Sequence, residues 1–179
     1  MKSHINHPLA SPETIDRLIK SLSSNDPAER NDAKNHLIQI GEPAVQALIK
    51  LTVQPDSELR RETASILGNI HDPSAIPALI NLLIDERFEV RWRAAESLVK
   101  MKRDVVFPLF QELLRKDRFD SVWFLEGAHH ILRKLDNEGY LEPLWRKVLE
   151  AFDDPMKEIK IPEAAERALE TLENPQSTA

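Results

Sequence analysis

The sequence repeats itself with a period of about 30 residues, and this repeat restricts the fold more than any other feature of the chain. Apolar residues recur in steps of three and four within each unit, which is typical of amphipathic helices. Each unit is therefore predicted to be a helix, a short turn and a second helix. Equivalent positions of successive units lie 30 or 31 residues apart: Arg30, Arg60 and Arg91; Leu37, Leu67 and Leu98; Ile40, Ile70 and Met101; Val45, Ile76 and Val106; Leu48, Leu79 and Leu109.

Aspartate or serine followed by proline marks positions where helices are predicted to begin. The side chain of such a residue accepts hydrogen bonds from free backbone N–H groups. Proline suits the first helical position because it has no N–H of its own to satisfy. The pairs are Ser11-Pro12, Asp26-Pro27, Asp72-Pro73 and Asp154-Pro155, and Asp56 and Asp85 precede the other first helices.

The two ends depart from the repeat in the way that a stack of hairpins requires. Ile15 to Leu22 match a second helix with no first helix before it, and Ala164 to Leu172 match a first helix with no second helix after it. Pro162 either starts or kinks this last helix. The fourth unit, roughly residues 119–152, is longer than the others. We expect about four hairpins and two half-repeats in one domain, residues 11–173, between flexible tails at residues 1–10 and 174–179.

Composition excludes several classes of function. The chain has 24 basic and 30 acidic residues and a net charge of −6, so it lacks the positive surplus that nucleic acid binding requires. The acidic surplus belongs to residues 136–179, which hold 11 acidic and 5 basic side chains. Cysteine, a signal peptide and any run of 18 apolar residues are absent from the sequence. We expect a cytoplasmic protein that contacts neither nucleic acid nor membrane.

A family resemblance rests on the segment LRRETASILGNIHDPSAIPALINLL, which runs from Leu59 to Leu83, and on VRWRAAESLVKM, which begins at Val90. Both resemble the short HEAT-like repeats of the phycobilin lyase type, and the resemblance covers about Ser24 to Leu114. It implies an all-α, right-handed α-α superhelix, a HEAT-like solenoid whose second helices line the concave side. Such repeats occur in proteins of unrelated purpose, so the resemblance is specific for fold and not for function.

Stacked hairpins must bury their apolar sides against one another, and equivalent leucines should then form one continuous core. The arginine column at Arg30, Arg60 and Arg91 has two interpretations. It could be a basic strip for an acidic ligand, or each arginine could bind carboxylates or helix-end carbonyls of a neighbouring unit. We favour the second interpretation. Six side chains are predicted to be nearly fully buried: Leu67, Ile70, Leu79, Leu82, Leu98 and Leu109.

The non-core positions of the second helices form the predicted partner-binding strip. The strip is polar and mildly basic, so it suits an acidic or mixed-polar protein segment, although an ordinary solvated face would look much the same. Trp92, with Phe88, is a second candidate contact unless the longer fourth unit covers it. Trp123 and Trp145 share positions with core residues of other units. The strip consists of Arg17, Lys20, Gln46, Lys50, Asn81, Gln111, Arg115, Glu142 and Arg146.

No catalytic or metal-binding pattern is visible in the sequence. None of the six histidines is followed by glutamate, so the repeated His-Glu pairs of the HEAT-like di-iron enzyme deoxyhypusine hydroxylase are absent. His129 and His130 point about 100° apart around a helix and are poorly placed to share a metal. We therefore expect a non-enzymatic module, without a cofactor, that binds a partner protein on its concave face. The alternative is a bilin lyase-like, chromophore-handling protein that uses Arg91, Trp92, Arg93 and Trp123.

Overall fold

The computed structural model describes residues 11–173, and the two predicted tails, residues 1–10 and 174–179, lie outside this range. Between residues 11 and 173 the chain forms helices joined by short turns, with no β-strand. The helices are α1 (Pro12–Ser21), α2 (Pro27–Ile40), α3 (Glu42–Ile49), α4 (Ser57–Ile70), α5 (Ile76–Asn81), α6 (Phe88–Lys100), α7 (Val106–Leu113), α8 (Lys116–Phe119), α9 (Val122–Asn137), α10 (Pro143–Ala151) and α11 (Lys157–Glu173).

The helices pair as the repeat predicts. The hairpins are α2 with α3, α4 with α5, α6 with α7 and α9 with α10, while α1 and α11 are the half-repeats. The extra helix α8 accounts for the longer fourth unit. Two second helices, α3 and α5, continue into single 3-10 turns at Lys50–Val53 and Leu82–Ile84. The all-α stack of four hairpins with a half-repeat at each end is thus confirmed.

The predicted helix starts carry their caps. Asp26 accepts a hydrogen bond from the backbone N–H of Ala28 at 2.9 Å, and Asp56 accepts one from the N–H of Glu58 at 2.9 Å. Asp85 behaves differently, because α6 begins only at Phe88. Asp85 accepts from the backbone N–H of Arg87 at 2.9 Å and so closes the turn before the helix. The helix-start pattern therefore locates the turns between units correctly.

The equivalent leucines form one core. Leu37, Leu67 and Leu98 are fully buried in a single apolar cluster that extends from Ile15 to Leu169. Five of the six side chains predicted to be nearly fully buried are buried. The prediction for Ile70 is wrong, because its side chain is only partly buried. Ile70 is the last residue of α4, where the helix ends at the edge of the stack.

The helices α4 and α6 cross at very short range. Gly68 packs directly against Ser97, and the hydroxyl of Ser97 donates a hydrogen bond to the carbonyl oxygen of Ala64 at 2.8 Å. Small residues on both helices allow their backbones to approach, and the buried hydroxyl has an acceptor. The contact joins the second and third hairpins.

The last helix does not continue the layer of first helices. Its main contacts are with α7 and α10, both of which are second helices. Ile161, Ala165 and Ala168 are fully buried. Pro162 lies inside α11, so the helix starts before it. The sequence pattern identified a terminal half-repeat correctly but assigned it to the wrong layer.

Candidate functional site

Every residue of the predicted partner-binding strip is exposed. Several of them nevertheless have partners within the chain. The guanidinium of Arg115 pairs with Glu112 at 3.2 Å and with Asp117 at 3.0 Å. The guanidinium of Arg146 lies 2.6 Å from Asp136. The carboxyl-terminal part of the strip therefore has much of its positive charge neutralised.

Three cations of the strip, Arg17, Lys20 and Lys50, form no ion pair with any described residue. Arg17 and Lys20 belong to α1, which packs against α2 and α3, and Lys50 directly follows α3. The amino-terminal part of the strip therefore keeps its positive charge available.

A groove of about 900 Å³ opens between the second helices of the first two hairpins. One bank is the end of α3 with the 3-10 turn Lys50–Val53, and the other is α5 with the 3-10 turn Leu82–Ile84. Val53 on the first bank is 81% exposed, and Ile84 on the second is also exposed. Two strip residues, Lys50 and Asn81, line the groove together with the apolar Ile49, Pro77, Ala78 and Leu82.

A buried ion pair forms part of the lining of the groove. The guanidinium of Arg60 binds both carboxylate oxygens of Asp85, with Nε···Oδ2 at 2.7 Å and Nη2···Oδ1 at 2.9 Å. Both side chains are more than nine-tenths buried. Burial by itself raises the pKa of Asp85, but hydrogen bonds from Arg60 and the N–H of Arg87, with the charges of Arg60 and Arg91, hold it below its ordinary value. The pair is therefore ionised at neutral pH and joins α4 to the turn before α6.

The arginine column has a structural role, as we favoured. Each of its arginines donates a hydrogen bond to a backbone carbonyl oxygen six residues earlier, in the turn that leads into its own helix. The donor–acceptor distances are 2.7 Å for Arg30 to Ser24, 2.9 Å for Arg60 to Gln54 and 2.8 Å for Arg91 to Asp85. The repeated contact fixes the turn between one unit and the next.

The exposed aromatic residues gather on the first helices α6 and α9. Trp92 is 47% exposed and stacks on Phe88, with ring centroids 6.3 Å apart. Its other neighbour is His130 of α9, at 4.7 Å, so the fourth unit covers Trp92 only in part. Trp123 was expected in the core and is 45% exposed, because its neighbour Phe124 occupies the buried position instead. Trp145 is buried, as its position predicts.

The guanidinium of Arg91 connects these rings. Its carbon lies 4.4 Å from the centre of the Trp123 ring and 5.7 Å from that of Phe88. Cation–π contacts of this length are favourable, since the positive charge faces the negative side of each ring. Arg91 thus lies against Phe88 and Trp123, and Phe88 in turn stacks on Trp92.

The sequence reading missed one buried arginine. Arg118 of the short helix α8 is buried, and its guanidinium binds Glu112 at 3.0 Å and the side-chain oxygen of Asn81. It therefore links the segment that follows the third hairpin to α5 of the second hairpin. No repeat signal could have identified it, because α8 has no counterpart in the other units.

The two adjacent histidines lie in different surroundings. His130 binds Glu96 of α6 at 2.7 Å, whereas His129 stacks on Phe152 with ring centroids 4.9 Å apart. Among residues 11–173, no group of three or more histidine, aspartate or glutamate side chains is arranged to hold a metal ion. No helix of the described chain is both long and apolar enough to cross a membrane.

Comparisons with known proteins agree with this architecture. The family model of HEAT repeats matches residues 45–123. A chain of the CpcE–CpcF complex of phycocyanin lyase from Nostoc sp. PCC7120 has a TM-score of 0.57 and 22% identity, over 88% of this chain and 99% of that one. Human deoxyhypusine hydroxylase has a TM-score of 0.54 and 21% identity, over 90% of this chain and 65% of that one. No curated protein matches significantly by sequence. At such identities the structural likeness shows the fold alone.

Proposed function

We propose, from the premise that this chain is a HEAT-like repeat protein, that it is a non-enzymatic module whose second-helix groove binds a segment of a partner protein. The observation that carries the proposal is the groove of about 900 Å³ between α3 and α5. It opens on the layer that such repeats are expected to present on their concave side. Stacked hairpins offer a surface of this kind already formed, so little ordering is required on binding.

The lining of the groove supports an apolar anchor on the partner. Val53 and Ile84 expose apolar side chains on opposite banks, and Pro77 and Ala78 of α5 line the same bank as Ile84. An apolar side chain of the partner inserted here would remove all four from water, at about 25 cal/mol per Å² of apolar surface. Contacts of this kind supply most of the affinity of small interfaces when they lie at the centre of the contact.

The charges around the groove support acidic residues on either side of that anchor. Lys50 lines the groove, and Arg17 and Lys20 on the adjacent α1 also have no acidic partner among residues 11–173. The ion pair of Arg60 with Asp85 adds no net charge, and the exposed Glu86, 3.9 Å from Arg60, also lines the groove. The charges of the lining itself therefore balance, and the positive surplus comes from Arg17 and Lys20. The segment that fits best is therefore an apolar side chain flanked by aspartate or glutamate.

The test is a charge reversal at Lys20 and Lys50 in one variant. Both side chains are exposed and unpaired in the described chain, so the variant should keep the melting temperature of the parent. Its affinity for the partner should fall by roughly tenfold or more, since two attractive charges become repulsive. Affinity capture from the native extract, with quantitative mass spectrometry of the bound proteins, measures the effect.

Lys134→Glu is the matched control, because Lys134 is exposed and unpaired among the described residues but lies on the first helix α9. A protein recovered with the parent and with this control, and depleted with the double variant, is the expected result. Equal recovery with all three proteins, or a lower melting temperature of the double variant, contradicts the proposed face.

A second candidate function, chromophore handling, is retained because Arg91 lies against Trp123 and Phe88, and Phe88 stacks on Trp92. A bilin could stack on the exposed Trp92 ring while Nη2 of Arg91, whose Nη1 donates to the carbonyls of Asp85 and Glu86, binds a propionate group. Mixing the purified protein with a bilin should then shift the bilin absorbance, and Trp92→Ala should reduce the shift. An unchanged spectrum removes this candidate and leaves the groove proposal untouched.

A further inference from the structure

A second pocket lies at the carboxyl-terminal end of the stack and is separate from the groove. It has a volume of about 530 Å³, within the range of about 300–1,000 Å³ that is typical of small-ligand sites. Its walls come from α8, α9, the end of α10 and the start of α11. The apolar part of the lining consists of Phe119, Val122, Leu125, Phe152 and Ile161.

One polar group in this lining is the imidazole of His129, and its ring is held in place. The imidazole lies parallel to the Phe152 ring, with 5° between the planes. Its Nε2 accepts a hydrogen bond from the guanidinium of Arg133 at 3.1 Å, so the ring is neutral and carries its proton on Nδ1. The pocket therefore offers a flat imidazole–phenyl stack next to aliphatic walls.

The mouth of the pocket is acidic. Three carboxylates, Asp120, Glu126 and Glu158, line it with a single cation, Lys157. None of the three carboxylates forms an ion pair or a side-chain hydrogen bond with a described residue. The wall from α10 and α11 belongs to residues 136–179, which carry the whole net charge of −6 of the chain. An apolar cavity with unpaired negative charge at its entrance complements a ligand with an apolar body and a positive head.

We propose that this pocket binds a small organic cation, whose apolar body lies between Phe119, Val122 and Phe152 and whose ammonium group faces Glu126 and Glu158. The inference does not depend on the groove between α3 and α5, which lies on other helices. It assigns a ligand class to a site at which neither the repeat pattern nor the fold comparison places any function.

The test uses three probes that share one apolar body: 4-phenylbutylammonium, 4-phenylbutanol and 4-phenylbutyrate. Titration of the full chain, followed through the ring proton resonances of His129, should show saturable binding of the ammonium. At low ionic strength the ammonium should bind roughly tenfold more tightly than the carboxylate, and added salt should reduce this difference. Equal affinities, tighter binding of the carboxylate, or no saturable binding of the ammonium overturns the proposal.

Two variants with the same change in charge locate the site. Glu126→Gln with Glu158→Gln should weaken binding of the ammonium by roughly fivefold, since two exposed charge pairs are lost. Glu166→Gln with Glu170→Gln neutralises two exposed carboxylates on α11 outside the pocket and should change it less than twofold. A similar loss of affinity in both double variants places the cation elsewhere and overturns the assignment.

His129 supplies an independent readout. Burial lowers the pKa of His129 most, the charges of Arg133, His130 and Lys157 lower it further, and the charge of Asp153 opposes them. Glu126 and Glu158 also line the pocket that holds this ring. A bound cation adds positive charge near the imidazole. The pKa of His129 should therefore be lower at saturation with the ammonium than in the ligand-free protein. An unchanged or higher pKa at saturation contradicts binding in this pocket.

Discussion

Replacing Asp85 by alanine should lower the free energy of unfolding at neutral pH by about 3–5 kcal/mol, the usual cost of removing one partner of a buried ion pair. Arg60 would keep its backbone acceptors, Gln54 and Pro55, but its charge would lose both carboxylate oxygens inside the stack. For a chain of this length the loss corresponds to a decrease of about 10 °C in melting temperature. Chemical denaturation of both proteins at pH 7 measures it.

The effect should depend on pH. The pKa of Asp85 is lower in the folded chain than in the unfolded one, so its contribution to stability is complete above the unfolded value of about 3.9. The contribution is lost as the pH falls below that value and through the folded pKa. The difference in stability between the parent and Asp85→Ala should therefore shrink below about pH 4, and a difference that stays constant contradicts an ionised pair.

Two further variants show whether burial is the cause. The pair of Lys147 with Glu150 has the same distance of 2.7 Å, but its side chains are 64% and 52% exposed, so Glu150→Ala should change stability by less than about 0.5 kcal/mol. Arg60→Met combined with Asp85→Ala should be less destabilising than the sum of the single changes, because no unpaired charge remains. If the loss of stability in the double variant equals the sum of the losses in the two single variants, the two side chains are not coupled.

Replacing Gly68 by alanine should destabilise the chain by about 3 kcal/mol, although the same change in an isolated helix stabilises by about 1 kcal/mol. A Cβ at this position would lie 2.5 Å from Cβ and Oγ of Ser97 and 2.8 Å from its Cα. The backbone of α6 would have to move, because the obstacle is not the end of a flexible side chain. Thermal and chemical unfolding both measure the change.

Gly127→Ala is the matched control within α9. Its nearest obstacle is a methyl group of Leu83 at 3.1 Å, which can rotate away. The gain in helix propensity should offset most of that small adjustment, so its stability should stay within about 1 kcal/mol of the parent. If Gly68→Ala were as stable as Gly127→Ala, the close crossing of α4 and α6 would be wrong.

Much of the fold could be predicted from sequence because its determinants are local and repeated. The periodic leucines place Leu37, Leu67 and Leu98 in one core, and the aspartates before helices mark the turns. The repeat pattern gave wrong predictions in the fourth unit, because this unit contains a helix, α8, that the other units lack. Trp123 was assigned to the core by its spacing, yet the inserted α8 shifts the fourth unit so that Phe124 is buried instead.

The candidate sites were less predictable, because they depend on how separate units meet. Spacing alone found the exposed strip, including Lys50 and Asn81, but it did not show the groove that these residues line. It did not show that Arg115 and Arg146 are paired, since Asp117 and Asp136 lie outside the repeated positions. The pocket around His129 requires Phe152 and Ile161 from a later unit, whose relative position no local pattern specifies.

The placement of α11 against α7 has a consequence for how the chain is made. During synthesis on the ribosome, α7 emerges roughly 50 residues before α11, the helix that covers it. The apolar side of α7 is therefore exposed to solvent for that time. The first two hairpins need only their neighbours and can assemble while translation continues. The third hairpin is fully packed only after α11 has been synthesised. A chain that ends before α11 would expose the apolar side of α7 to chaperones and proteases.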